Sequence, residues 1–362
     1  MEDIKTIKII LNGTVHISME KLYVELTNRC NLKCIHCYNE SNSGYSQDLS
    51  IEIVRGLIDA AYKCGLQEIA LSGGEALLYP WIEDVLTYCT EKGLKPFILT
   101  NGTYCVDSKY YDILMKYEPD IQISLDGPDR QSNDMIRGEK SFDKTINFIQ
   151  ELKKSEYKGE ISVNTVITEY TVNNYPEMVE LCKKMNIDKL SYSMLTLAGR
   201  AQDHMLQLNN KDFIEIIRDI NTNIKVLPEN KCQGIGLNHE CSLKKIQNGV
   251  IELQPKVTCY GEVFPCQMHN KKEYSIGNIY EKNIENILNS DQAKRFLTLM
   301  YLRNSFMQKC TSCIFEKMCK RGCMAKAVND TKNPFETDGC CLFYKETFVQ
   351  ELKHLHMKYQ ET

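Results

Sequence analysis

The chain lacks any run of about 18 apolar residues, so no membrane-spanning helix is expected. It also lacks a long basic run, and 44 basic residues against 48 acidic ones leave a net charge of −4. That balance argues against nucleic acid or an anionic membrane as the main partner. The first residues, MEDIKTIKIILNG, hold only a short apolar stretch after mixed charges. They lack the apolar core and small-residue cleavage site of a secretory signal. A cytoplasmic location is therefore the expectation, and the cytoplasm keeps thiols reduced. Tandem repeats and low-complexity segments are missing too, which argues against a solenoid or a disordered tract.

What is present is cysteine, 17 in 362 residues, an odd number and unevenly placed. Clustered thiols in a reducing compartment point to metal or redox sites rather than to a disulfide framework. Hydrophobic content of 43% and charged content of 25% are ordinary for a globular chain, long enough for one large domain and a smaller one.

The first 200 residues alternate two textures. Short apolar, β-branched runs at 22–27, 68–73, 95–102, 120–127, 160–168 and 189–195 read as strands. Amphipathic patterns lie between them. In WIEDVLTYCTEKG, Trp81, Ile82, Val85, Leu86 and Cys89 share a face, and in SFDKTINFIQELKKS, Ser141 stands where an N-cap belongs. Alternation of this kind implies a parallel sheet. Six units are too few for a closed eight-stranded barrel, so the expected fold is α/β, a partial (β/α)6 barrel. A flat doubly wound sheet is the alternative. Either way, chemistry belongs at the C-terminal ends of the strands. The expected division is N-terminal strands over 1–20, the barrel over 21–200 and a helical bridge over 201–230. A cysteine-rich domain over 231–362 follows, holding ten of the 17 cysteines.

The loop after the first strand reads CNLKCIHCY, with thiols at Cys30, Cys34 and Cys37. Three thiolates can hold three irons of a [4Fe–4S] cubane and leave the fourth open, as catalytic metal sites do. A closed zinc site with His36 as fourth ligand, or free thiols, are the other readings; residues 30, 34, 36 and 37 would crowd a tetrahedron. SGGEAL, at 72–77, reads by itself as a strand-to-helix turn.

Taken together these motifs resemble the radical S-adenosylmethionine (radical SAM) superfamily. Cys30, Cys34, Cys37 and Tyr38 match its cysteine signature, and Gly73, Gly74 and Glu75 its GGE motif. TNG (100–102), SLDG (124–127) and IRGEKSFD (136–143) follow in the family's order. The resemblance implies an open-site [4Fe–4S] cluster that reductively cleaves S-adenosylmethionine to a 5′-deoxyadenosyl radical. It implies that Gly73, Gly74 and Glu75 meet the methionine amino group, that Ser124 and Asp126 lie near the cofactor and that Arg137 lies near its carboxylate. Asn164 is a further cofactor-side candidate. Glycines let backbone approach a ligand, and a carboxylate accepts from an ammonium.

The tail is similar to the SPASM domain, which binds two auxiliary [4Fe–4S] clusters. The run CTSCIFEKMCKRGC carries Cys310, Cys313, Cys319 and Cys323, and GEVFPC ends in Cys266. The resemblance assigns Cys310, Cys313 and Cys319, with Cys340 or Cys341, to one cluster. It assigns Cys266 and Cys323, with two of Cys232, Cys241 and Cys259, to the other. The upstream spacing departs from the family's, since Cys241 stands too far from Gly261 and Cys259 too near. A zinc ribbon over 310–323 is the structural alternative. Cys64, Cys89 and Cys182 follow apolar helical faces and read as small buried hydrophobes; Cys105 sits in a turn. His269 and Tyr192 are the candidates for direct chemistry, His269 reading first as a surface residue. Tyr192 and Arg200 flank the mouth of the last strand.

A ribosomally made peptide is the expected substrate, gaining a cross-link or thioether or being epimerised. The alternatives are an anaerobic sulfatase-maturating enzyme or a haem-pathway decarboxylase. Sulfatase-maturating relatives place an aspartate after the PC cysteine, where this chain has Gln267. About 20 residues precede the first barrel strand, so leader recognition is expected from a separate protein or the short N-terminal strands. An electron donor such as flavodoxin or ferredoxin is implied. A non-catalytic iron–sulfur carrier would explain the cysteines but not SGGEAL or the open site.

Overall fold

A computed structural model describes Ile10 and residues 16–42, 44–104, 108–202, 246–247 and 250–360. Cys105, Cys232, Cys241 and most of the bridge over 201–230 lie outside the described residues.

Six strands form the body: β2 Lys21–Thr27, β3 Glu68–Gly73, β4 Lys95–Thr100, β5 Asp120–Ser124, β6 Ile161–Ile167 and β7 Lys189–Met194, after a short β1 at His16–Ser18. All five pairings from β2 to β7 are parallel and join neighbours in the chain. Right-handed crossovers in a constant direction put every connection on one side of the sheet. A doubly wound sheet would reverse its strand order at a switch point; this one does not. Burial agrees. Leu22, Val24, Leu26, Ile69, Leu71, Ile98, Ile121, Ile123, Ile161, Val163 and Leu190 are buried on one face. Alternate positions such as Tyr23, Gln122, Ser124, Asn164, Ser191 and Ser193 are not. Helices cover the first face, and the second lines a polar interior.

The helices are α1 Ile51–Lys63, α2 Ile82–Glu91, α3 Lys109–Tyr117, α4 Arg130–Arg137, α5 Ser141–Lys154 and α6 Tyr175–Lys184. α1 is capped by Ser50, whose hydroxyl accepts from the Ile53 amide at 3.3 Å, and it buries Val54, Leu57, Ile58 and Ala61. Two local expectations change. Trp81 precedes α2 and is 39% exposed, while Ile82, Val85, Leu86 and Cys89 are buried. Ser141 is the first helical residue of α5, not its cap; its hydroxyl donates to Asp134 at 2.8 Å, so the capping position falls to Lys140. Cys89 and Cys182 are buried and Cys64 half-buried.

The cysteine-rich end does not stand apart. Strand β10 (Lys256–Val257) extends the barrel sheet by pairing parallel with β2, Lys256 opposite Tyr23 and Val257 opposite Val24. Strands β11 (Glu262–Phe264) and β12 (Gly277–Asn278) add on antiparallel. β1 pairs with β9 (Val250–Glu252), which also takes β8 (Ile246–Gln247). One apolar core runs through both parts, from Leu22 and Val24 to Val257, Phe296, Leu297 and Val328. Helices follow at Ile284–Leu288, Asp291–Phe306, Met324–Thr331 and Cys341–Gln360. Among the described residues no helix is long and apolar enough to cross a membrane.

Candidate active site

The cysteine loop leaves the C-terminal end of β2 and is fastened by the ends of the other strands. After β3, the Gly74 amide donates to the Thr27 carbonyl and the Glu75 amide to the Arg29 carbonyl, each at 2.7 Å. A Cβ on Gly73 would stand 2.2 Å from the Thr27 oxygen, and one on Gly74 2.2 Å from the Arg29 oxygen. The close approach these glycines permit is therefore to the cysteine loop's own backbone. Glu75 turns inward. Its carboxylate accepts from the Asn101 amide at 2.8 Å and the Leu77 amide at 3.3 Å, tying β3 to the TNG turn. Burial pushes its pKa up to about 7.

Beyond β4, Asn101 and Thr103 grip Asn31, at 2.8 and 2.9 Å. After β5 comes Asp126, fully buried, with one carboxylate oxygen 2.6 Å from Arg137 Nε and 2.7 Å from His36 Nε2. Its other oxygen accepts from the Val166 amide at 2.8 Å. Burial alone would raise the Asp126 pKa; the Arg137 guanidinium, then His36, outweigh it and hold the carboxyl well below its usual range. The Ile35 amide donates to the Ile136 carbonyl at 2.9 Å.

The last fastening comes from beyond β7. Arg200 donates to the Cys34 carbonyl at 2.9 Å and the Ser41 carbonyl at 2.8 Å, and its own amide to the Cys37 carbonyl at 3.0 Å. Gly199 lies beneath, at φ 55°, where a Cβ would meet the Cys37 and Tyr38 carbonyls at 2.6 Å. Arg200 thus braces the loop through its backbone carbonyls.

Tyr192 does not face the interior. It is 3% exposed on the helix side of β7, its hydroxyl reaching the Tyr175 carbonyl at 3.5 Å, because the strand's two-residue period turns Ser191 and Ser193 inward instead. Both serines donate to the side-chain oxygen of Asn164, at 3.0 and 2.7 Å. Ser124 lies opposite Asn164 in register, so the two share the inner face. Tyr38 is half-buried, its hydroxyl 3.2 Å from that of Tyr23, which donates to Ser72 at 2.6 Å. His269 is buried rather than at the surface, its ring between Tyr274 and Phe296. Burial, then Lys256, lowers its pKa to about 3, which leaves it neutral. Gln267 is exposed.

Sequence reasoning missed two partners. His36, whose spacing suggests a fourth ligand, serves Asp126 instead. Lys256, in a two-residue strand with no local signal, is buried on the inner face.

No disulfide joins any two of the 14 described cysteines. Among the described residues no group of three or more His, Cys, Asp or Glu side chains is placed to hold a single metal ion. Cys30, Cys34 and Cys37 are held on one braced loop, and burial pushes the Cys30 thiol up to about 12 and raises Cys34. Cys34 and Cys37 are electrostatic neighbours of Cys30, so three thiols share one site, the donor set of a cubane held at three of its four irons. In the tail, Cys341 feels Cys310 and Cys313 as electrostatic neighbours, whereas Cys340 is buried beside Asp338, Lys326 and Cys323. The Cys340 thiol also contacts the Met194 sulfur at 3.5 Å, at the end of β7.

Comparison with known proteins accords with this geometry. The radical SAM superfamily model matches residues 24–182, and that of the SPASM iron–sulfur cluster-binding domain matches 253–314. The chain belongs to the radical SAM superfamily and carries a C-terminal SPASM domain. It is an enzyme that uses [4Fe–4S] clusters and S-adenosylmethionine.

Among curated proteins it is similar to the antilisterial bacteriocin subtilosin biosynthesis protein AlbA of Bacillus subtilis. Identity is 27%, over 91% of this chain and 72% of AlbA. It is also similar to the AdoMet-dependent heme synthase of Methanosarcina barkeri, with 25% identity over 88% of this chain and 95% of that protein. In fold it is similar to Streptococcus suis SuiB bound to S-adenosylmethionine. The TM-score is 0.72 at 18% identity, covering 91% of this chain and 78% of SuiB. It also resembles native anSMEcpe with bound AdoMet, with a TM-score of 0.76 at 19% identity, covering 96% and 100%.

Proposed function

We propose that this enzyme modifies a ribosomally made peptide, forming a cross-link or thioether or inverting a stereocentre. The observation that carries the reading is the similarity to AlbA along most of both chains. The fold supports it. β7 ends the sheet among the described strands, and no described strand pairs with its outer edge; extended peptides add to such edges.

In this reading Cys30, Cys34 and Cys37 hold the open-site cluster, which with S-adenosylmethionine supplies a 5′-deoxyadenosyl radical. The protein's own residues place and enclose it. Arg200, Asp126 and His36 fix the loop. Glu75, buried and hydrogen-bonded, takes the methionine ammonium as a further partner. Ser124, Asn164 and the Asp126–Arg137 pair line the cofactor side. Cys310, Cys313, Cys319 and Cys341 hold one auxiliary cluster; Cys266, Cys259 and Cys323 serve the other. A flavodoxin or ferredoxin supplies electrons.

A second reading, haem-pathway decarboxylation, is favoured by the match to 95% of a heme synthase. Sulfatase maturation is not favoured, since Gln267 offers no base. The deciding experiment is anaerobic incubation with S-adenosylmethionine, a reductant and the peptide encoded beside the gene, read by mass spectrometry. The peptide should lose about two hydrogens per cross-link, counting one bond formed from two C–H or S–H bonds, or be epimerised. A Cys30→Ala/Cys34→Ala/Cys37→Ala variant should leave it unchanged. An untouched peptide beside a decarboxylated tetrapyrrole, or a formylglycine on a sulfatase peptide, would overturn the reading.

A further inference from the structure

Lys256 is 1% exposed and Glu25 5% exposed, on neighbouring strands of the sheet. Register puts Lys256 opposite Tyr23, whose hydroxyl reaches inward to Ser72, so Lys256 is on the inner face. Glu25 is two residues along β2 on the same face. Their charged atoms are 3.7 Å apart, an ion pair without hydrogen-bond contact. The ammonium otherwise faces two aromatic rings, Tyr38 at 5.7 Å and Phe264 at 5.1 Å from their centroids. The Glu25 carboxylate accepts from the Asn39 side chain at 3.1 Å.

Tyr38 and Asn39 directly follow Cys37, the third thiol of the cysteine loop. Both charges therefore touch the segment that carries a cluster ligand, and they reach it through protein rather than through water. Buried charges act at low dielectric and are barely screened by salt. Reduction of the cluster adds one negative charge, so a nearby cation favours the reduced state and a nearby anion opposes it; net charge and burial are established controls of cluster potential. The anion here is partly satisfied by Asn39, while among the described residues the cation has no hydrogen-bond acceptor.

We propose that the Glu25–Lys256 pair sets the reduction potential of the cysteine-loop cluster, with Lys256 of the C-terminal part raising it and Glu25 of the barrel lowering it. The pair is a positioning element for electron transfer, and its action does not depend on which substrate the enzyme takes.

The test is a redox titration of the anaerobically reconstituted full-length enzyme with dithionite and mediators, followed by electron paramagnetic resonance. The cysteine-loop signal is the one missing from the Cys30→Ala/Cys34→Ala/Cys37→Ala variant. Lys256→Met should lower its midpoint by at least a tenfold change in the one-electron equilibrium, about 59 mV. Glu25→Gln should raise it, the double variant should return near wild type, and Lys256→Arg should stay there. Opposite shifts from the two single variants are a signature that loosened packing does not produce. Should Lys256→Met fail to fold, Glu25→Gln, which keeps the side chain's size, and the double variant still decide the sign. Midpoints within error of wild type in fully loaded proteins, or single-variant shifts of the same sign, would overturn the proposal.

Discussion

Asp126 shows how one residue can organise a site it need not touch chemically. It neutralises a buried guanidinium, orients His36 within the cysteine loop and caps an amide of β6. Removing one partner of such a pair leaves the other charge buried and uncompensated, which costs about 3–5 kcal/mol. Asp126→Asn should destabilise the protein by that order in urea titrations and lower the iron retained after reconstitution. The wild-type contribution also has a pH signature. The folded pKa lies below the unfolded value, so the stabilisation is complete above the unfolded carboxyl range and is lost as pH falls through and below it. A variant whose acid unfolding matched wild type would show that the pair is energetically idle.

At the scale of the element, the two-residue period of β7 decides roles. Ser191 and Ser193 fall inside with Asn164, and Tyr192 falls among helix side chains. Tyr192→Phe should leave 5′-deoxyadenosine formation unchanged and cost about 1 kcal/mol, the usual net worth of one hydrogen bond. Asn164→Ala removes the acceptor that Ser191 and Ser193 share at the inner face, leaving Ser191 the Val163 carbonyl at 3.3 Å, and should weaken S-adenosylmethionine binding in equilibrium dialysis while leaving the thermal midpoint within a few degrees. The reverse pattern would mean that the strand's faces are misassigned.

At the scale of the molecule, the cysteine-rich end and the barrel share a sheet and a core. Val24 and Val257 face each other across the β2–β10 pairing, both wholly buried. Full burial of each such side chain contributes about 1.5–3 kcal/mol. Splitting the two parts would expose this seam, so the protein should unfold in one transition. Far-ultraviolet and tyrosine signals should coincide in denaturant. Two separated transitions would mean that the parts fold independently.

The strands were legible in the sequence because period and turn chemistry are local. The six expected runs match β2 to β7 within a few residues. The three thiols and SGGEAL were legible for the same reason, as short spacings on single loops. Local signals misplaced Ser141 and Trp81, since helix ends are settled by competing partners such as Asp134. What only the tertiary structure decided are contacts between distant segments: Arg200 on the Cys34 carbonyl, Asp126 on His36, Lys256 beside Glu25. A lone arginine, histidine or lysine has no periodicity and no fixed spacing to its partner. Each acquires its role only when the folded sheet brings strand ends together and removes water, which makes a buried charge costly unless something nearby answers it.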